Sequence, residues 1–273
     1  MDNQRLADQI KEAVDAYCAK AYSDERRSHL GASVIGAVCE RQLWYAWRWV
    51  IREQHDARLL RLFNRGKLEE PRFKEWLEAA GFYFFPVPTL SELGGHFGGT
   101  PDGICKKEID GKEHNFIVEF KTHNTKSFVR LKQIGVRSAK PMHWAQMNAY
   151  GYLADVPLAL YFAINKNDDD IHIEVLELEL SFGKELMRKA EQIIVAQSPP
   201  PQLPGASLAL FECKYCPANQ ICLNNAMPED HNCRACRFAV PIQHEATWAC
   251  DFHKAIIPPD FIPKGCPDWK AIA

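Results

Sequence analysis

The chain holds 273 residues, 47% hydrophobic and 25% charged, with 33 basic against 35 acidic side chains and a formal net charge of −2. That is the composition of an ordinary soluble globular protein, one large domain or a core with a small appendage, and it excludes a global electrostatic pull toward nucleic acid. No run approaches the roughly 20 apolar residues of a membrane span, and the start, MDNQRLADQIKEAVDAY, carries acids where a signal peptide needs a basic head, so a cytosolic protein without a membrane partner is expected.

Residues 2–22 carry a helical pattern, and the polar break SDERRSH follows. A second helix is expected from Ser33, with Leu43, Ala46, Trp47 and Val50 at helical spacing. A third runs from His55 to Ala80, where Leu59, Leu62, Phe63, Trp76 and Leu77 recur on one stripe and Gly81 ends it. Pro71 is expected to kink or split this helix. The stretches 82–88, 95–105 and 115–122 read as a strand meander, with Asp110-Gly111 as a two-residue hairpin turn. A helix from Met142 to Leu153 comes next, then a hairpin of 158–166 and 171–180, then a helix over 182–197. The Pro-rich stretch SPPPQLPG marks a boundary. It divides a core, 1–200, from a Cys-rich lobe, 201–273, whose weak periodicity predicts that metal rather than an apolar core holds it together.

Within the core, IVEFKTHN at 117–124 places Ile117, Glu119 and Lys121 on one strand face and Val118 and Phe120 on the other. With Asp110 and Gly111 at the turn, cross-strand partners sum to 221, so Asp102 of the upstream TPDGI faces Glu119. Opposed side chains lie about 4.5–5.5 Å apart at Cβ. Two carboxylates that close repel unless a cation lies between them, and oxygen ligands in a site with room for water and phosphate suit Mg²⁺. From Phe120 to Ala154 there is no acid, while Lys121, Lys126, Arg130, Lys132, Arg137 and Lys140 are all present. A one-sign segment of that length suggests a surface for phosphates.

The residues Pro101-Asp102 and Glu119-Phe120-Lys121 resemble the signature of the PD-(D/E)XK nuclease superfamily. The resemblance implies an α/β fold, a central mixed sheet flanked by helices, and metal-dependent hydrolysis of phosphodiester bonds in DNA. Asp102 and Glu119 would bind Mg²⁺ or Mn²⁺, and Lys121 would position the attacking water. NRGKLEEPRF resembles the Gly-x-x-x-(His/Glu) helix motif of the RecB-like and lambda-exonuclease-like branches, carried here by Gly66 and Glu70, with Glu69 as the alternative if the register slips. HWAQMNAYGYL resembles the Gln-x-x-x-Tyr motif of the RecB-like branch. Gln146 and Tyr150 stand on one helical face, and the resemblance gives them contacts to the DNA strand. A DNA exonuclease acting on ends or single strands in recombination, repair or replication is implied, with phage origin and a recombinase or helicase partner compatible with it. A structure-specific endonuclease on the same site and a non-catalytic nucleic-acid-binding adaptor are the competing readings.

Ten cysteines in an intracellular chain point to metal or reactive thiols rather than disulfides. Cys213, Cys216 and Cys222 are spaced C-x₂-C-x₅-C, and Cys39 stands upstream in a stretch with Ser33, Arg41 and Tyr45. This set resembles the iron–sulfur nucleases of CRISPR adaptation and RecB-like helicase–nucleases, which implies a 4Fe–4S cluster on those four thiolates. Cys233, Cys236, Cys250 and His253, spaced C-x₂-C-x₁₃-C-x₂-H, read as a closed tetrahedral Zn²⁺ site. A zinc ribbon of Cys213, Cys216, Cys233 and Cys236 is the rival partition. The favoured partition leaves Cys18, Cys105 and Cys266 as ordinary thiols.

Overall fold

The protein was described from a computed structural model, which places residues 3–23, 26–52, 54–228 and 230–272. Asp2 of the first expected helix, and Asp24 and Glu25 of the polar break, lie outside the described residues. The fold is mixed α/β. Its centre is a five-stranded sheet in the spatial order β1 (Tyr83–Phe84), β2 (Gly103–Ile109), β3 (Lys112–His123), β4 (Leu158–Asn165), β5 (Ile171–Glu177). All neighbours are antiparallel except β3 and β4, which run parallel. A parallel pair needs a crossover, here supplied by helices α4 (Thr125–Ala139) and α5 (Pro141–Ala154).

The β2–β3 turn has the expected geometry. Asp110 and Gly111 both adopt positive φ, 52° and 75°, as a hairpin turn matching the right-handed strand twist requires. The register follows: Gly103 pairs with Val118 and Ile109 with Lys112.

The central strands are buried on both faces, which is why β3 and β4 read as near-continuous apolar runs, whereas Ile171, Ile173 and Val175 of the edge strand β5 are exposed. On one face Phe116, Val118 and Phe120, with Leu160, Phe162 and Ile164, pack against Phe73 and Leu77 of helix α3 (Ala57–Ala79). On the other, Ile117, Ala159, Tyr161 and Ala163 meet α5, helix α6 (Leu180–Val195) and helix α2 (Glu40–Trp47) in one large core. That core continues into the C-terminal region through Ala235, Cys236, Ala239, Trp248 and Ile257.

Several elements differ from the sequence expectation. Helix α2 begins at Glu40, not Ser33; Ala32–Val34 is a single 3₁₀ turn and Cys39 is the extended N-cap. The carbonyls of Ile35 and Ala37 are taken by Lys189 Nζ at 2.9 and 2.6 Å rather than by a helical ladder. Helix α3 runs unbroken through Pro71, anchored at its start by Asp56, whose carboxylate accepts from Leu59 N at 2.7 Å, and downstream by the packing of Phe73 and Leu77. The stretch 95–105 is divided: Phe97–Gly99 pairs with Leu30–Gly31 and Leu90–Glu92 in a separate small sheet. That close pairing requires Gly98, because a Cβ there would stand 2.2 Å from Leu90 O. The 82–88 stretch contributes only Tyr83–Phe84.

Helix α4 has no counterpart among the expected elements. Beyond the boundary, the chain forms short helices at Phe211–Lys214 and Asn219–Asn224 and a three-stranded antiparallel sheet of β6 (Ala239–Ile242), β7 (Thr247–Cys250) and β8 (Ala255–Ile257). No helix among the described residues is long and apolar enough to cross a membrane.

Candidate active site and thiol clusters

Asp102 sits immediately before β2, where the hairpin register brings it opposite Glu119. Its Oδ2 accepts a hydrogen bond from Phe120 N at 2.7 Å and lies 3.8 Å from Lys121 Nζ. Lys121 Nζ also contacts Glu119 Oε1 and donates to Phe120 O at 3.0 Å. Glu119 is fully buried, and Lys121 is the one partner its carboxylate meets among the described residues. Burial pushes the Glu119 carboxyl up to about 7; Lys121 opposes this shift, and Asp102 and Glu70 add to it. Burial works to lower the Lys121 ammonium, but Glu119 and Asp102 outweigh it and hold it above the ordinary lysine value. Lys121 is therefore charged at neutral pH.

Glu70 reaches this cluster from α3. Burial and then Asp102 raise its carboxyl, with Lys121 pulling the other way. The neighbouring Glu69 instead pairs with Arg72, at 3.1 Å from its Nε. The step of about 100° between the two residues thus separates the Arg72 ion pair from the acidic cluster. One turn earlier, a Cβ on Gly66 would meet no atom within 4 Å, so internal packing does not demand a glycine there.

Gln146 and Tyr150 come together on α5, as the i, i+4 spacing requires, and both are buried, 8% and 3% exposed. The Tyr150 hydroxyl donates to Thr100 O at 3.3 Å and braces the loop that carries Asp102. Burial, then Glu119 and Asp102, push the Tyr150 phenol up to about 12.

Beside Glu119, the parallel register sets Tyr161 of β4. The Tyr161 hydroxyl lies 3.0 Å from His123 Nε2 and 2.8 Å from His143 Nδ1. Burial, aided by Lys140 and Lys121 for His123 and by Lys121 for His143, lowers these imidazoles to about 4 and about 3, so both are neutral. Tyr161 was not singled out in the sequence, where it is one more apolar residue of a buried strand. Its only signal is the register with Glu119.

The basic segment lies on α4. Lys126, Arg130 and Lys132 are exposed, with Phe128 and Leu131 on the buried side. Lys132 pairs with Asp170 at 2.9 Å and Arg137 with Glu179 at 2.6 Å. Lys140 turns inward to Ser127 Oγ. Lys126 and Arg130 stand without an ion pair among the described residues.

All ten cysteines are free thiols. Cys39, Cys213, Cys216 and Cys222 line one cavity, together with Arg41 and Tyr45. The Cys216 thiol is raised by burial and then by Cys39, Cys222 and Cys213, which places all four sulfurs in one electrostatic neighbourhood. Arg41 holds the Tyr45 hydroxyl at 3.2 Å and Pro200 O at 2.8 Å. In the C-terminal lobe, burial and then Cys266, Cys236 and Cys250 push the Cys233 thiol up to about 11, and its Sγ donates to Phe261 O at 3.6 Å. His253 Nε2 faces Cys266 Sγ at 3.8 Å and Asp268 Oδ2 at 3.4 Å. Cys18 and Cys105 are buried, and burial lifts the Cys105 thiol to about 12.

No protein-family model matches the chain, and no curated protein matches it. Among solved structures, the chain is similar to SSO0001 at 16% identity and a TM-score of 0.47, over 80% of this chain and 98% of that one. It is similar to an alkaline exonuclease, LHK-Exo, from Laribacter hongkongensis at 16% identity and a TM-score of 0.46, over 67% and 90%. For LHK-Exo in complex with dAMP the values are 14% and 0.44, over 62% and 87%.

Proposed function

We propose that the protein is a divalent-metal-dependent deoxyribonuclease of the PD-(D/E)XK type, acting as an exonuclease on DNA ends or single strands. One observation carries this reading: a fully buried Glu119 carboxylate gathered with Asp102 and Glu70 around Lys121, three acids against one cation. Carboxylates in such excess are tolerated where a further cation shares the site. The donor set of carboxylate oxygens fits Mg²⁺ or Mn²⁺.

Asp102, Glu119 and Glu70 would hold that ion. When bound, it supplies Lewis-acid polarisation of the scissile phosphate and lowers the pKa of a nucleophilic water. Lys121 contributes a fixed positive charge that orients the water and offsets charge developing on the phosphate. Gln146 aligns the strand, and Tyr150 holds the Asp102 loop through Thr100. The open space over Gly66 admits the sugar–phosphate backbone beside Glu70. Lys126, Arg130 and Lys132 on α4 attract flanking phosphates, Lys126 and Arg130 most directly because no acid engages them.

Cys39, Cys213, Cys216 and Cys222 would carry a 4Fe–4S cluster, since four thiols around one cavity fit its ligand requirement. Cys233, Cys236, Cys250 and His253 of the C-terminal lobe would carry a structural Zn²⁺, a donor set without an open position and hence without a part in hydrolysis.

The test is cleavage of end-labelled linear and circular DNA with Mg²⁺ or Mn²⁺, comparing the parent with Asp102→Ala and Lys121→Ala. Both variants should lose at least about 100-fold in rate while retaining DNA binding. Parent-like digestion by either variant rejects the site. Cutting of circular DNA assigns an endonuclease.

A further inference from the structure

Beside the carboxylates, the same face of the sheet carries a hydrogen-bonded row of side chains that the chemistry above leaves unused. It starts at the end of α4, where Lys140 Nζ donates to Ser127 Oγ, and Ser127 Oγ lies 3.4 Å from His123 Nδ1. His123 Nε2 is 3.0 Å from the Tyr161 hydroxyl, which is in turn 2.8 Å from His143 Nδ1 on α5. The three rings are nearly parallel. Interplanar angles are 17° between the imidazoles, and 18° and 26° from Tyr161 to His123 and to His143. Rings so aligned let one hydroxyl meet both imidazoles near their planes, where ring nitrogens donate and accept.

The order of protons along this row follows from counting them. Tyr161 has one hydroxyl proton, so it donates to one imidazole and accepts from the other, and a neutral imidazole donates from one nitrogen only. Two orders are then possible. If Tyr161 donated to His123 Nε2, the His123 proton would sit on Nδ1 and Ser127 Oγ would accept from both sides, leaving the Ser127 proton without an acceptor among the described residues. If Tyr161 donates to His143, every proton in the row is used: Lys140 to Ser127, Ser127 to His123, His123 to Tyr161 and Tyr161 to His143. The Lys140 ammonium favours this second direction, because each acceptor then turns its lone pair toward the cation. The consequence falls on His143. With Nδ1 accepting, its proton sits on Nε2. That nitrogen meets no partner among the described residues, on a side chain that is partly exposed.

His143 precedes Gln146 by three residues and Tyr150 by seven on α5, so the three share one helical face. Glu119 and Asp102 act on Tyr150 at one end of that face, and Lys121 is the charge that acts most strongly on His143 at the other. The β3–β4 register sets Tyr161 beside Glu119, so the hydroxyl that holds His143 belongs to the wall of the same site. We propose that the Nε2–H of His143 binds a phosphate oxygen of the DNA backbone beside the scissile linkage, a contact that rests on the reading of the site as a nuclease. Tyr161, His123 and Ser127 are positioning residues, which hold the imidazole in the tautomer and orientation that present this donor. An uncharged donor adds a hydrogen bond to an anionic oxygen without adding repulsion to the Lys121 ammonium.

The experiment measures kcat and KM for Mn²⁺-dependent cleavage of a short end-labelled oligonucleotide by the full-length parent, His143→Ala, His143→Gln and Tyr161→Phe, with melting temperatures alongside. His143→Ala should raise KM about 10-fold with kcat little changed, the loss of one hydrogen bond to a charged group. His143→Gln, whose amide nitrogen takes the place of Nε2, should recover most of that loss. Tyr161→Phe keeps the ring, frees the imidazole and should raise KM by a smaller factor. A second substrate set carries one uncharged methylphosphonate at each linkage flanking the cut in turn. One of these positions should weaken binding by the parent and leave His143→Ala unaffected. Parent-like KM in His143→Ala overturns the phosphate contact alone, and so does a rise in KM that survives every methylphosphonate, which marks a structural role. Parent-like KM in Tyr161→Phe overturns the positioning role of the row. A parent chain that cleaves no DNA with Mn²⁺ overturns the nuclease reading, and this contact with it.

Discussion

Glu119 carries the sharpest chemical consequence in the molecule. Its carboxyl is pushed up to about 7 in the folded chain against 4.5 ordinarily, because burial strips it of water and, with Asp102 and Glu70, outweighs Lys121. Between those two values the folded protein holds a proton that the unfolded chain has released. The metal-free protein should therefore lose stability as pH rises from about 4.5 through about 7. Melting temperatures across that window measure the effect, and Glu119→Gln should flatten it. Metal binding has the opposite dependence, since the ion must displace the same proton. Mn²⁺ affinity by calorimetry should strengthen as pH rises from about 6 to about 8, with protons released on binding. A pH-independent affinity would remove Glu119 from the ligand set. Glu70 reinforces the trend, as burial and Asp102 raise it too.

Groups proposed to meet the substrate stand on α3 and α4 as well as on α5. On α3, Gly66 occupies a helix interior although nothing nearby would collide with a side chain. Gly66→Ala should therefore stabilise the fold by about 1 kcal/mol from helix propensity alone. If the open face admits the DNA backbone, the same change should raise the KM for DNA, so that stability and activity move in opposite directions. On α4, Asn124 caps the first turn, its side chain accepting from Ser127 N at 2.9 Å. Asn124→Ala should cost about 1 kcal/mol. It should also fray the turn carrying Lys126, read as weakened DNA binding at low salt with unchanged metal affinity. The helix has its kink at Gly135, whose φ of 70° is left-handed, and Glu174 accepts from Val136 N just beyond it at 3.0 Å.

The whole molecule is a sheet whose central strands are covered on both sides, with the C-terminal lobe joined to the segment from Arg27 to Arg48. Cys39 lies between the N-terminal 3₁₀ turn and α2, and Cys213, Cys216 and Cys222 follow the last core helix, so one cluster would bridge a long separation in sequence. Closing so large a loop favours the folded state by restricting the unfolded one. Cys39→Ser and Cys213→Ser should accordingly lose iron in anaerobically purified protein and lower the melting temperature. Lys121→Ala should abolish cleavage with iron content intact. The Trp248, Arg48 and Arg234 stack fastens the C-terminal lobe to α2 at a second point, with His96 against Trp47 and Trp248 at centroid separations of 6.0 and 5.8 Å.

Local periodicity was enough to place much of the site. Asp110-Gly111 sets the turn, the turn sets the register, and a strand period of two then puts Asp102, Glu119 and Lys121 on one face. The four-residue spacing of Gln146 and Tyr150 works in the same way on α5. What lay beyond reach were features set by partners far away in the chain. Lys189 takes carbonyls that would otherwise begin α2 early, and packing carries α3 straight through Pro71. Tyr161 meets Glu119 only through the parallel crossover. Glu69 and Glu70 are equivalent on paper until Arg72 claims one of them. Cys266 follows no ligand spacing, yet the aperiodic tail sets its sulfur 3.8 Å from His253 Nε2. Backbone geometry repeats every two or 3.6 residues and so is written locally; where two distant segments meet depends on packing of the whole chain, which no window of the sequence contains.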